Sequence, residues 1–401
     1  MRKRGGSRFL VPTLLAAWLI GSFGASRAAI SAQLSTDEPS GKVAAQGQRD
    51  GLAQFDVFVA GEDGYKSFRI PSLLVTPHGT VLAFCEGRKQ SSGDSGDIDL
   101  VQRRSNDGGI TWGPLQVIAD DGPNTLGNPC PVVDRATGTI WMLMTRNHGQ
   151  DKEPQILDGT SRETRSVWVM KSTHEGLTWS PRVEITKQVK LPDWTWYATG
   201  PGVSIQLESG RMVVPCDHFL AKSKISRSHV IYSDDHGATW KLGGVAGERI
   251  NECQVVELSN RTLLLNMRNH PPKQGQGRAI ATSRDGGLTW TPPTIDPILV
   301  EPACQASLIA LKDEQGRASN RLLFSNPASA KRELMTVRLS EDGGRTWPRH
   351  KTLHAGPSAY SCLASLAGRS VGCLYERGER GPYERITLAR FDLEGLASDT
   401  D

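Results

Sequence analysis

The chain has 401 residues, 37% of them apolar and 22% charged, a composition that excludes a disordered or collagen-like polymer and leaves room for a large folded core. Its formal charge of +4 belongs to the first residues: taking away 1–28 removes Arg2, Lys3, Arg4, Arg8 and Arg27 and no acid, leaving 42 basic against 43 acidic side chains. A body so close to neutral gives no electrostatic argument for binding nucleic acid or a membrane surface.

Residues 1–32 begin with basic MRKRGGSR, continue as apolar FLVPTLLAAWLIGSFGA, and offer small residues for cleavage at Ser26-Arg27-Ala28 or Ile30-Ser31-Ala32. That is the pattern of an export signal. The apolar run is about 17 residues long with Pro12 inside it, short for a spanning helix. The sequence therefore predicts a cleaved signal, a periplasmic or extracellular product and no stable membrane insertion. Residues 33–51 are polar and predict a flexible lead-in. From 52 to 396, short runs rich in Val, Ile, Leu and Thr (GTIWMLMT, RMVVPCD, RTLLLNMR, NRLLFSNP) alternate with clusters of Gly, Pro, Asn and Asp. These are strand and turn signals, and no apolar stripe of helical period is long enough for a major helix. A short tail, 397–401, completes the chain.

One box recurs five times: SNDGGITW from Ser105, STHEGLTW from Ser172, SDDHGATW from Ser233, SRDGGLTW from Ser283 and SEDGGRTW from Ser340. The starts lie 67, 61, 50 and 57 residues apart. Such a period marks a repeated supersecondary unit and points to a propeller or solenoid. Each box reads as a turn between antiparallel strands, with Ser and Asp side chains bonding backbone N–H groups and Gly supplying a positive φ. Thr-Trp is expected to open the next strand, its Trp wedged between neighbouring sheets with the indole N–H on a carbonyl. The second box has His174 in place of Asp. A calcium loop needs more oxygen ligands than these turns offer, and there is no C-x-x-C pair, so neither metal nor cofactor is expected. Seven cysteines, an odd number spread evenly, predict buried thiols rather than a disulfide framework.

Arginines stand among apolar residues at strand ends: Arg69 in Phe68-Arg69-Ile70-Pro71, Arg268 in Asn266-Met267-Arg268-Asn269, and Arg332 beyond Ser325-Asn326-Pro327. Three from different blades can converge on one axis. With FRIP, the five boxes, CEGRKQSSGDSGDIDLVQRRS, NECQVVEL, NMRN and GPSAYS from Gly356 taken in that order, the chain resembles the sialidase (neuraminidase) family of the exo-acting cellular and bacterial type, from about Phe55 to Phe391. The resemblance implies an all-β fold, a six-bladed β-propeller of four-stranded antiparallel blades of about 57 residues each, with the site on the axis. It also implies that FDVFVAGE closes the ring beside SVGCLYER and ERITLARFDL.

The same resemblance assigns roles. Arg69, Arg268 and Arg332 correspond to a triad whose planar forks bind the carboxylate of a sugar acid. Glu376 corresponds to the acid that steadies Arg69, and Arg88 to a further substrate contact. Tyr360 matches the nucleophile and Glu252 its partner. A carboxylate nucleophile would be repelled by the substrate's own carboxylate, and a neutral phenol is not. Because a free phenol has a pKa near 10, Glu252 must take its proton. Asp94, Asp97 and Asp99 compete as general acid. Alternation puts Asp97 and Asp99 on one face of a strand, whereas Asp94 precedes it on a Ser/Gly loop, and its distance from Arg103-Arg104 matches the family's acid. To work near neutrality its pKa must rise on loop closure; an open loop implies an acidic optimum. Trp194, Trp196 and Tyr197 either wall one side of the sugar or pack a loop. Relatives commonly have Asp where this chain has Cys362.

The implied activity is an exo-α-sialidase acting on sialylated glycoconjugates or oligosaccharides, with retention through a tyrosyl-enzyme. A hydrolase or transglycosylase for another acidic ulosonic sugar, and a non-catalytic sialoside-binding propeller, remain as alternatives.

Overall fold

Five blades are built from consecutive strands, and the sixth borrows one from the start of the chain. In the computed structural model, which describes residues 46–49, 51–270 and 277–398, blade I comprises Ser67–Val75, Val81–Arg88, Ile98–Ser105 and Gln116–Ala119. Blade II follows with Thr125–Val133, Ile140–Asn147, Ser166–Ser172 and Val183–Glu184. Blade III has Trp194–Thr199 and Ile205–Gln206 on its inner side, then Met212–Leu220, Ser226–Ser233 and Lys241–Ala246. Blade IV runs Ile250–Glu257, Leu263–Asn269, Arg278–Ser283 and Thr294–Asp296. Blade V has Ser307–Lys312, Ala318–Pro327 and Glu333–Ser340, completed by the first half of the long strand Arg349–Ser365. The second half of that strand starts blade VI, which continues through Ser370–Arg377 and Arg385–Asp392. Leu52–Val59 then pairs antiparallel with Arg385–Asp392, from Leu52 opposite Phe391 to Val59 opposite Arg385, and closes the ring as expected.

The expected signal, 1–32, lies outside the described residues, as does most of the lead-in. Gln46–Arg49 forms a strand against Leu52–Val59, and Ala397–Ser398 pairs with Arg349 and His350. No helix among the described residues is long and apolar enough to cross a membrane, and among them no cluster of three or more His, Cys, Asp or Glu could hold a metal ion. All seven cysteines are free and buried.

Each box links the third and fourth strands of its blade. In the first, Ser105 Oγ accepts from Gly109 N at 2.8 Å, while Asp107 Oδ1 accepts from Ile110 N at 3.0 Å and Thr111 N at 2.9 Å. His174 takes over only the side-chain contact, with Nδ1 3.0 Å from Thr178 Oγ1. Two residues in succession have positive φ, at 73° and 88° for Gly108 and Gly109, which explains the paired glycines. Blade VI has no box because its fourth strand comes from the start of the chain, so no turn joins its third and fourth strands.

The box tryptophans lie in the exit of the turn rather than in the following strand, and they do pack between blades. Trp112 joins Phe58 and Leu388 of blade VI with Val81 of blade I, Trp240 joins Leu143 of blade II with Ile231 of blade III, and Trp347 joins Leu264 of blade IV with Phe324 of blade V. Trp179 and Trp290, half-buried, do the same between blades I and II and blades III and IV. The remaining junction, V to VI, is crossed by the shared strand itself and by Leu323, Val337, Tyr375 and Phe391. The indole N–H groups find no backbone carbonyl, and only Trp179 finds a carbonyl at all, on a side-chain amide. Trp179 donates to Gln102 Oε1 at 3.1 Å and Trp347 to Asp296 Oδ2 at 3.3 Å, whereas the other three meet no acceptor among the described residues.

Candidate active site

One cavity of about 290 Å³ receives side chains from all six blades, which places it on the ring axis. Arg69, Arg88, Asp94, Glu252, Arg268, Arg332 and Tyr360 all line it. Glu376 lies directly behind, with no exposed surface. Asp97 and Asp99 are not in its wall. They pair with Lys89 at 2.8 and 3.0 Å, and Asp99 also accepts from Tyr65 Oη at 2.7 Å.

The FRIP segment positions the first arginine through a break in the sheet. Register shifts between Arg69 and Ser72, and Ile70 takes φ of 62°, a conformation a β-branched side chain rarely adopts. Glu376 holds it there: Oε1 accepts from Ile70 N at 2.9 Å and from Arg69 Nε at 3.1 Å, and Oε2 accepts from Tyr360 N at 3.0 Å. One buried carboxylate thus ties the arginine of blade I to the tyrosine of blade VI. The Arg69 guanidinium also stacks on Tyr383, 4.1 Å from its ring centroid.

Tyr360 Oη donates to Glu252 Oε1 at 2.5 Å, and Arg268 donates to Glu252 Oε2 at 2.6 Å. Arg268 Nη1 also stands 3.4 Å from the phenol oxygen. Burial and the adjacent Glu252 push the phenol well above its ordinary pKa, against the downward pull of Arg268 and Arg332. At rest the phenol keeps its proton. Arg332 donates to Tyr383 Oη at 2.6 Å and to Ala303 O at 3.4 Å. Among the described residues it has no carboxylate partner, which leaves its charge available to a ligand.

Asp94 comes from the loop between the second and third strands of blade I. Its Oδ1 lies 2.8 Å from Arg88 Nη1 and 3.5 Å from Arg69 Nη1, and its side chain is 60% exposed. Partial burial alone would raise its pKa, but Arg88 and Arg69 outweigh that and hold it below the ordinary carboxylate range. The resting loop therefore does the opposite of what a general acid at neutral pH requires. Arg88 is fixed in turn by Glu86, at 3.0 and 2.6 Å.

The sequence reading missed the opposite wall. Asn128 and Arg165 of blade II and Asp217 and Phe219 of blade III line it, and on the near side the reading also missed Tyr383 of blade VI, which sits against Arg69 and Arg332. The one available signal was a charge inside an apolar run, Asp217 in MVVPCDHFL. Of the aromatic stretch, Trp196 faces the cavity and Trp194 and Tyr197 are buried beneath it, Trp194 stacked on His218 at 3.4 Å.

Fold and site together define a class: a β-propeller with an axial pocket where arginines of three blades, Arg69, Arg268 and Arg332, converge, an arrangement that suits a carboxylate on a small ligand. Residues 79–373 match the family model described as a BNR repeat-like domain. The chain is similar to a sialidase of Micromonospora viridifaciens, 35% identical over 403 residues and 97% of this chain, and to one of Bacteroides fragilis, 34% identical over 336 residues and 79% of it. It spans 60% and 61% of the lengths of those two proteins. Among solved structures it resembles a Hadza microbial sialidase at 34% identity and a TM-score of 0.78, over 86% of this chain and 69% of that one. The chain belongs to the sialidase family.

Proposed function

We propose that the chain is an exo-α-sialidase that releases terminal sialic acid from glycoconjugates with retention, through a covalent bond between Tyr360 and the anomeric carbon. The observation that carries this reading is the 2.5 Å contact between Tyr360 Oη and Glu252 in the cavity that also presents Arg69, Arg268 and Arg332.

The arginines take the sugar carboxylate in charge-assisted hydrogen bonds. Tyr360 Oη attacks the anomeric carbon as its proton passes to Glu252, and Arg268 stabilises the phenolate character that develops. The bond to the leaving oxygen breaks as Asp94 protonates that oxygen. Arg88 first and Arg69 second depress the Asp94 pKa, and a carboxylate arriving on Arg69 competes for the second of these guanidiniums, so substrate itself removes part of the obstacle to protonation. In the second half, Asp94 takes a proton from water, the water oxygen bonds to the anomeric carbon, and Tyr360 leaves with the proton from Glu252.

Release of a fluorogenic phenol from the α-ketoside of N-acetylneuraminic acid, followed by proton NMR, tests both claims. The α-anomer is expected to appear first and then mutarotate. First appearance of the β-anomer would overturn the tyrosyl intermediate, and absence of any release would overturn the activity. The export signal at 1–32 is part of the same proposal, checked by the mass of the secreted chain.

A further inference from the structure

Glu376 is not the only buried carboxylate tied to an arginine and to a backbone N–H beside the cavity. Arg278, on the third strand of blade IV, has no exposed surface, and Glu301, in the link from blade IV to blade V, is 1% exposed. Arg278 Nη1 lies 2.6 Å from Glu301 Oε2. Neither side chain is in the cavity wall. The pair holds the strand that delivers Arg268 on both sides of that residue: Arg278 Nε donates to Asn266 Oδ1 at 2.7 Å, and Glu301 Oε1 accepts from Asn269 N at 2.7 Å. It also reaches the support of Arg332. Arg278 Nη1 donates to Cys304 O at 2.8 Å, and the carbonyl just before it, Ala303 O, is the one that Arg332 Nη2 meets at 3.4 Å. Ala303 takes φ of 50°, a conformation uncommon for a residue with a Cβ, so the link is held in shape by its surroundings.

A buried ion pair gives a fold little stability that apolar side chains of the same volume would not. It differs from them in direction, because a guanidinium fork and a carboxylate fix the distance and angle of the groups they bond. Here those groups are the backbone next to Arg268 and the backbone on which Arg332 rests. The two blades otherwise meet through apolar side chains such as Leu264, Phe324 and Trp347, which set no such angle. Two arginines that share one small carboxylate need their separation set before it arrives, since like charges left free would spread apart.

We infer that Arg278 and Glu301 are positioning residues for the carboxylate-binding arginines, setting the distance between Arg268 and Arg332 from outside the cavity. The inference rests on the reading that these arginines hold the sugar carboxylate. It gives the junction of blades IV and V the kind of tie that Glu376 makes between blades I and VI.

The test measures inhibition by the 2,3-unsaturated analogue of N-acetylneuraminic acid, as its free acid and as its neutral carboxamide, each competing with the aryl α-ketoside. Wild-type enzyme is expected to favour the acid by about 10²-fold. Glu301→Gln leaves Arg278 buried without a counter-charge and is expected to lower both the urea midpoint and that preference. Glu301→Gln combined with Arg278→Met removes both charges, and most of the midpoint should return. The preference for the acid should nonetheless stay about 10-fold below wild type, because displaced arginines lose the charged inhibitor and not the neutral one. A pair that served only the core would weaken both inhibitors alike. A folded double variant with the wild-type preference, or one that loses acid and amide equally, would overturn the inference. So would a double variant that does not fold, since the pair would then be holding the blades and not the arginines. Equal inhibition of wild-type enzyme by acid and amide would overturn the carboxylate reading itself and the inference with it.

Discussion

Replacing Glu376 by glutamine tests how far the buried charge balance sets the chemistry of the cavity. The carboxylate has no exposed surface and uses both oxygens, one for Arg69 Nε and Ile70 N, at 3.1 and 2.9 Å, and the other for Tyr360 N at 3.0 Å. An amide has a single acceptor. Glu376→Gln can keep the first two bonds only by turning its NH₂ toward the Tyr360 N–H, a buried donor facing a donor, at a cost of about 1–3 kcal/mol. Arg69 also loses its buried counter-charge. What remains is Asp94 at 3.5 Å, 60% exposed and therefore screened by solvent. Breaking a buried pair from one side costs about 3–5 kcal/mol, the larger of the two effects, and because both act at one carboxyl they overlap rather than add.

Urea unfolding followed by tryptophan fluorescence should therefore show a loss of about 3–5 kcal/mol. On an aryl sialoside, kcat should fall about 10²-fold as the Tyr360 backbone loses its anchor, equivalent to about 2.7 kcal/mol of barrier. KM should change far less, because an uncompensated Arg69 still attracts the substrate carboxylate. Unchanged stability would refute the charge argument. A KM that rises as steeply as kcat falls would show that Glu376 works by aiming Arg69 and not by seating Tyr360.

Tyr360→Phe and Asp94→Ala are each expected to lower turnover by about 10²-fold or more with the urea midpoint little changed, and near-normal turnover in both would remove the residues from the mechanism. In the proposed mechanism Asp94 carries a proton when the glycosidic oxygen leaves, and Arg88 and Arg69 hold its pKa low, so kcat/KM on a sialyl-oligosaccharide should rise as pH falls toward the carboxylate range. An aryl ketoside, whose leaving group needs no proton, should give a flatter profile; an optimum above neutrality for the oligosaccharide would contradict this. The same depressed pKa makes the Arg88–Asp94 pairing stabilising above the ordinary carboxylate range, with that contribution lost as pH falls through the folded value. His174→Asp should restore to blade II the two backbone bonds that Asp107 accepts in blade I, at 3.0 and 2.9 Å, raising stability by about 0.5–1.5 kcal/mol with kcat unaltered. A loss of stability would show that the second turn is shaped differently.

What the sequence revealed and what it concealed follow one physical division. The boxes and FRIP were legible because each solves a local backbone problem with particular residue types, two successive positive φ values in the turns and a register break at Arg69 that gives Ile70 its φ of 62°, whereas the Ala-Tyr-Ser segment was legible through its resemblance to the family. The wall formed by blades II and III has no such local grammar. Strict alternation along Trp194–Thr199 would put Trp194 and Trp196 on one face, but the register slips between Trp194 and Tyr197, so Trp196 reaches the cavity while Trp194 packs on His218. Asp217 becomes meaningful only when Glu252 and Arg165 arrive from neighbouring blades. The direction of the Asp94 shift is likewise invisible along the chain, since it depends on two arginines aimed at one loop carboxylate, at 2.8 and 3.5 Å. Residues that bend the backbone leave a pattern in sequence. Residues that act by meeting side chains across the axis leave at most a misplaced charge, as Asp217 does in MVVPCDHFL.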